Sequence, residues 1–241
     1  MIGRIARNFA SRKVAVVLSG NGVYDGSEVT ESVSVAIHLS KAKAEINFFA
    51  PNKPQAHVVN HLTGEASEEP KRNVLEESAR IARGNIQDLK KLSPDSFDAV
   101  ILPGGFGAAK NLSTFGFEGA NMQVDSELQK SLESFYRKKP IGVCCISPII
   151  VSKLFGTKSG YEGLELTMGK KRATEEWPYH SAIEVADGFG NKMVDLDVDD
   201  VLVDESNLVV STPAYMKHTA KPHEVFEGVG KMVEAVLKLI K

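Results

Sequence analysis

Cys145 stands where an apolar run stops and a helical pattern starts, in Pro140-Ile-Gly-Val-Cys-Cys-Ile-Ser-Pro148. A strand-to-helix turn lifts a side chain clear of its sheet. The helix that follows aims unpaired N–H groups and a partial positive charge at that side chain. Both favour the thiolate, which is the nucleophilic form. The plain alternative is a small buried hydrophobe, the usual fate of a free cysteine. Cys144 belongs to the strand itself, and adjacent strand residues point to opposite faces. Only one of the two is therefore expected at a site, with Cys145 the more reactive. These are the only two cysteines in the chain. An adjacent pair cannot build a disulfide framework, so a reducing compartment is expected.

The elements needed to position such a turn are legible. Val14 to Leu18, Ile46 to Ala50, Ala99 to Leu102 and Ile141 to Cys144 are short continuous apolar runs, the pattern of parallel strands covered on both faces. Helical patterns alternate with them. The first follows Ser19 to Gly26, with Val29, Val33, Ala36, Ile37 and Ser40 on one face and Asp25 with Glu28 resembling a capping box. Others span Asn73 to Arg83, Leu128 to Tyr136, the stretch after Cys145 through Phe155, and a C-terminal run through Val225, Val229, Met232, Val233, Val236 and Ile240. Val201 to Val203 and Leu208 to Ser211 flank a turn and read as a hairpin. The stretch from Pro51 to Arg72 is a polar surface excursion, and 156–190 is a poorly patterned lid or variable region. The alternation predicts an α/β chain whose ligands bind beyond the C-terminal strand ends. The Ser19–Gly26 loop, the Pro103–Gly107 loop and Cys145 all fall at such ends.

The chain has 241 residues and a net charge of −2. That length fits one large α/β domain, residues 13–241. The charge offers no field for nucleic acid, and no apolar run reaches the length of a membrane span. No histidine, cysteine or acidic spacing points to a metal, and no phosphate-binding fingerprint occurs. No cofactor is expected. Residues 1–12 carry Arg4, Arg7 and Arg12 with no acid, and Ile2, Ile5 and Phe9 share a helical face. That is the chemistry of a targeting segment, which makes the mitochondrion the expected location, with the cytoplasm as alternative.

Several motifs occur in order: Ser19-Gly-Asn-Gly-Val-Tyr-Asp-Gly-Ser-Glu28, Asn60-His-Leu-Thr-Gly-Glu65, Arg72-Asn-Val-Leu75, Pro103-Gly-Gly-Phe-Gly-Ala-Ala-Lys-Asn-Leu-Ser113 and Thr212-Pro-Ala-Tyr-Met216. Together with the Cys145 turn they resemble the DJ-1/PfpI superfamily, within the class I glutamine amidotransferase-like fold, and within it the ElbB-like branch. Glu-Glu-Trp-Pro-Tyr179 further resembles the eukaryotic mitochondrial members. The resemblance implies a flavodoxin-like, doubly wound sandwich, with a mostly parallel central sheet and helices on both faces, commonly as a homodimer. It implies Cys145 as the reactive cysteine and places Glu31 beside its sulfur, with Glu28 one turn earlier as the alternative. The departures are specific. Ile146 stands where PfpI-type members have a histidine, and no His-x-Glu pair occurs anywhere. These argue against a protease or glutaminase triad.

The chemistry implied is that of a glyoxalase working without glutathione or metal on a small-molecule aldehyde. Cys145 adds to glyoxal or methylglyoxal, Glu31 moves a proton between the two carbons, and water releases a 2-hydroxy acid. Apparent deglycase activity would be the same chemistry on released aldehyde. Gly104, Gly105 and Ile146 are the expected substrate and oxyanion contacts, through backbone N–H groups at Gly105 and Ile146, and Tyr24 is a site wall. The Gly104-Gly105 pair also has a plain reading as a tight turn. Asp25 is expected to cap a helix. The alternative function is a non-catalytic binding or redox-sensing protein that keeps an enzyme fold.

Overall fold

The computed structural model describes residues 12–67 and 71–241, so the basic segment up to residue 11 lies outside the described residues. A seven-stranded sheet runs through the centre. Its strands are β1 (Lys13–Val17), β2 (Glu45–Ala50), β3 (Ile86–Asp88), β4 (Ala99–Leu102), β5 (Ile141–Cys144), β6 (Leu202–Asp204) and β7 (Val209–Thr212). Their spatial order is β6-β7-β5-β4-β1-β2-β3. Every neighbouring pair is parallel except β6 with β7, the antiparallel hairpin. The helices are α1 (Val29–Lys41), α2 (Val74–Ile81), α3 (Phe106–Lys110), α4 (Phe115–Glu118), α5 (Ser126–Phe135), α6 (Pro148–Phe155), α7 (His180–Gly188) and α8 (Pro222–Leu239). This is the expected flavodoxin-like, mostly parallel architecture.

The apolar runs form strands because both sheet faces are covered: β1, β4, β5 and β7 are buried almost throughout. The α8 pattern holds as well, with Val225, Val229, Met232, Val233 and Val236 all in the core.

Helix α1 departs from its expected face. Val29, Val33 and Ile37 are 44, 40 and 42 % exposed, while Glu31, Ser32, Ser34, Val35 and Leu39 are buried. The inward face of this helix is partly polar because its N-terminal half lines a site. Its cap is Glu28, whose carboxylate accepts the Glu31 N–H at 2.7 Å. Asp25 is not the cap. It is buried and accepts the Val59 N–H at 2.7 Å, pinning the 51–72 excursion to the first loop. Among the described residues the excursion holds a two-residue ribbon, Val58–Val59 with Ala66–Ser67, and a single bridge from Pro54 to Asn73. The poorly patterned 156–190 stretch contains α7, which the sequence pattern does not reveal.

Candidate active site

Strand β5 ends at Cys144, and the chain turns at Cys145 with φ of +58°. A side chain in that left-handed region costs on the order of 1–3 kcal/mol, and such strain clusters at functional sites. The Cys145 N–H donates to the Thr212 carbonyl at the end of β7, which holds the turn against the sheet. Cys145 is 8 % exposed and lines a pocket of about 250 Å³, together with Tyr24, Glu28, Gly105, Ile146 and residues from later in the chain.

Glu31 lies beneath this pocket, fully buried. Its Oε2 accepts the Gly104 N–H at 2.9 Å, and its Oε1 accepts the Tyr215 N–H at 3.3 Å. The Cys145 side chain lies beside this carboxyl, both abutting Gly104, and the two groups influence each other's protonation. Burial first, and the nearby Glu28 carboxylate second, push the Glu31 pKa up to about 8. The hydrogen bonds pull the other way and lose. At neutral pH the carboxyl is therefore mostly protonated. Glu28 is also raised by burial, but its carboxylate is committed to the α1 N-terminus. Glu31, rather than Glu28, is the carboxyl that touches sulfur.

Two expectations are corrected here. Cys145 is not a low-pKa thiolate: burial first, and then the charge of Glu31, push its thiol well above the usual value. The backbone N–H groups of Gly105 and Ile146 oppose this without reversing it. The proton therefore rests on the Cys–Glu pair, not in solvent. Cys144 does not point away from the site either. Its Sγ sits 3.7 Å from Glu31 Oε2. The positive φ at Cys145 breaks the strand alternation, so both sulfurs border one carboxyl. Cys144 has no exposure and Cys145 has some, so only Cys145 faces the pocket.

The glycines divide the work. The Gly104 N–H is spent on Glu31, so Gly104 is not an oxyanion donor. A side chain there would put its Cβ 2.4 Å from Cys145 Cβ and 2.6 Å from Glu31 Oε2. Gly105 adopts φ of +92° and opens α3, with its N–H near Cys145 Sγ. The Gly105 and Ile146 N–H groups are thus the pair available to an oxyanion formed at this sulfur. Gly104→Ala is expected to lower turnover by about 100-fold or more by displacing the Cys–Glu pair, and to destabilise the fold by roughly 1–3 kcal/mol through overpacking. Steady-state kinetics and a melting curve check both, and wild-type values would contradict the geometry.

Several site residues escaped the sequence reading. Phe106, Tyr179, Tyr215, Met216 and His218 all line the pocket. Tyr179 comes from the 156–190 stretch, and its ring meets Phe106 edge to face at 6.2 Å between centroids. His218 has no spacing signal. It reaches the site because Ala214, at φ of +46°, bends the chain after β7, and because the His218 N–H donates to Glu176 at 2.7 Å. Tyr24 forms a wall, its ring tilted 36° against that of His61 with centroids 4.9 Å apart. Among the described residues no group of three or more histidine, cysteine or acidic side chains is placed to hold a metal, and no helix is long and apolar enough to cross a membrane.

No protein-family model matches the chain. Curated relatives do. A rat protein named ES1 protein homolog, mitochondrial, is 46% identical over 229 residues, covering 94% of this chain and 84% of its own length. A human protein named glutamine amidotransferase-like class 1 domain-containing protein 3, mitochondrial, is equally identical over the same length, covering 94% of this chain and 83% of its own. The chain belongs to the ES1 family of glutamine amidotransferase-like class 1 proteins. The mitochondrial location stands on these relatives, which carry it in their names. A solved Ehrlichia chaffeensis structure, described as an isoprenoid biosynthesis protein with amidotransferase-like domain, matches with a TM-score of 0.84 at 33% identity, over 96% of this chain and all of that one. A Candida albicans glyoxalase III structure matches at 0.60 and 16% identity, over 95% of this chain and 98% of its own, a likeness of fold alone.

Proposed function

We propose that this protein is a glyoxalase-type lyase that converts glyoxal or methylglyoxal to a 2-hydroxy acid without glutathione or cofactor. The observation that carries the reading is the buried Glu31 carboxyl, hydrogen-bonded to Gly104 and Tyr215 and packed beside the Cys145 side chain beneath the pocket. Such a carboxyl can take and return protons on both sides of one small substrate.

The atoms balance without an oxidant. Cys145 sulfur bonds to the aldehyde carbon, and its proton passes through Glu31 to the aldehyde oxygen, giving a hemithioacetal. Glu31 then takes the proton from that carbon. The resulting enediolate is held by the Gly105 and Ile146 N–H groups. Return of the proton to the neighbouring carbon, with the hydroxyl proton of the first carbon passing to the enediolate oxygen, gives a thioester, so one carbon is oxidised as the other is reduced. Water breaks the C–S bond and releases the acid and the thiol. Adducts that shed free aldehyde would register as deglycase activity.

Glu31 must be ionised to begin, and its folded pKa is about 8. The proposal therefore predicts that kcat/KM for methylglyoxal rises about tenfold per pH unit below pH 8 and levels off above it. Glu28→Gln removes the neighbouring charge that raises Glu31, so it should move that limb to lower pH. A flat profile between pH 6 and 8 would refute the role of Glu31. The second reading, a redox sensor, requires a low-pKa thiolate, and the raised Cys145 thiol weighs against it. The expected homodimer remains part of the proposal, and the exposed Val29, Val33 and Ile37 stripe of α1 offers it an apolar face.

A further inference from the structure

The pocket is larger and more aromatic than glyoxal needs. At about 250 Å³ it has room for about eight waters, whereas glyoxal has only four heavy atoms. Its walls are Tyr24, Phe106, Tyr179, Tyr215 and Met216, above the Cys145 floor. Phe106 and Tyr179 stand edge to face, an arrangement that accepts a flat apolar group against ring faces and edges.

The charges around it point the same way. Among the described residues no lysine or arginine lines the pocket, and the one carboxylate at its edge is Glu28. Two lysines close to lining residues are already engaged. Lys110 donates to the Tyr24 carbonyl at 3.0 Å, with its ammonium 5.5 Å from the Phe106 ring centre. Lys217 is paired with Asp197 at 2.9 Å. A substrate carboxylate or phosphate entering here would meet the Glu28 carboxylate and find no ammonium or guanidinium in the lining, with His218 as the one ring there able to carry a positive charge.

We infer that the site selects neutral 2-oxoaldehydes bearing a flat apolar substituent of about phenyl size, and discriminates against anionic ones. This rests on the glyoxalase-type reading and names its substrate class. The aldehyde carbon meets Cys145 at the floor, and the substituent lies along Tyr179 and Phe106 toward the mouth. The balance is unchanged: an aryl 2-oxoaldehyde plus water gives an aryl 2-hydroxy acid.

The test compares kcat/KM for methylglyoxal, phenylglyoxal and 4-carboxyphenylglyoxal. Phenylglyoxal is expected to exceed methylglyoxal by about tenfold or more, and the added carboxylate to lower the value at least about tenfold. Phenylglyoxal is also the more electrophilic aldehyde, so the ratio of the two neutral substrates is measured again in Tyr179→Ala, with Tyr24→Ala as a second wall variant on a more exposed side chain. The ratio should fall about tenfold in at least one. Equal or better use of methylglyoxal, an unchanged ratio in both variants, or tolerance of the carboxylate overturns the inference. If folded wild-type protein turns over none of the aldehydes, the glyoxalase reading fails on its own. Protection of Cys145 from iodoacetamide then decides the pocket: protection by acetophenone and not by benzoate upholds it, and any other pattern overturns it.

Discussion

Glu31→Gln is expected to lose turnover and gain stability together. The carboxyl is fully buried, with its pKa raised from 4.5 to about 8. A carboxyl whose folded pKa lies above its unfolded one favours the native state below about pH 4.5. That advantage is lost as pH rises toward 8, at roughly 1.4 kcal/mol per pH unit, because the native state keeps a proton that the unfolded chain has released. Glutamine never ionises, so it escapes this penalty. Its amide can still accept the Gly104 N–H, although its nitrogen then faces the Tyr215 N–H. At pH 5 the variant should melt close to wild type. By pH 8 it should melt higher, by on the order of 10 °C. Turnover should drop by about 100-fold or more, the usual loss for a general base. Melting curves across pH 5 to 8 beside steady-state kinetics read both. Parallel melting curves would show that the carboxyl is not held protonated, and unchanged kinetics would remove it from the chemistry.

Alkylation is expected to fall on Cys145 and to spare Cys144. Both thiols are raised by burial and by the Glu31 charge, so ionisation does not separate them. Access does: Cys145 lines the pocket, and Cys144 lies beneath Glu31 with no exposure. Limiting iodoacetamide, read by peptide mass spectrometry, should label Cys145 at least about tenfold over Cys144. Because the thiolate is the nucleophile, labelling at pH 7 should be slow and should climb steadily toward pH 9. Preferential labelling of Cys144, or rapid labelling that is flat with pH, would contradict the site as described.

Most of the sheet was legible because its chemistry is local; the short, half-polar edge strand β3 (Ile86–Asp88) was not. Val14 to Val17, Ala99 to Leu102 and Ile141 to Cys144 are apolar throughout, as a short strand covered on both faces must be. The turn at Cys145 was legible for the same reason, since an apolar run that meets Ser-Pro must change course. Helix α1 was not legible from periodicity. Its apolar stripe faces outward, and its inward face carries Glu31, Ser32 and Ser34 because a site occupies the space a core would fill. Glu31 itself came from resemblance alone. Tyr179 and His218 reach the pocket from segments without a period, through the contact between the His218 N–H and Glu176. The direction of the Cys145 shift was misread for a physical reason: a helix N-terminus is visible in sequence, whereas the depth of burial and a carboxyl brought from residue 31 are not.

The central claim is that Cys145 and Glu31 together convert a 2-oxoaldehyde to a 2-hydroxy acid. The most direct measurement is lactate formed from methylglyoxal by dialysed protein in the presence of a chelator, for wild type beside Cys145→Ser. The account predicts steady lactate production by wild type and none above background by the variant. Absence of lactate with folded wild type, or equal lactate from Cys145→Ser, would contradict it.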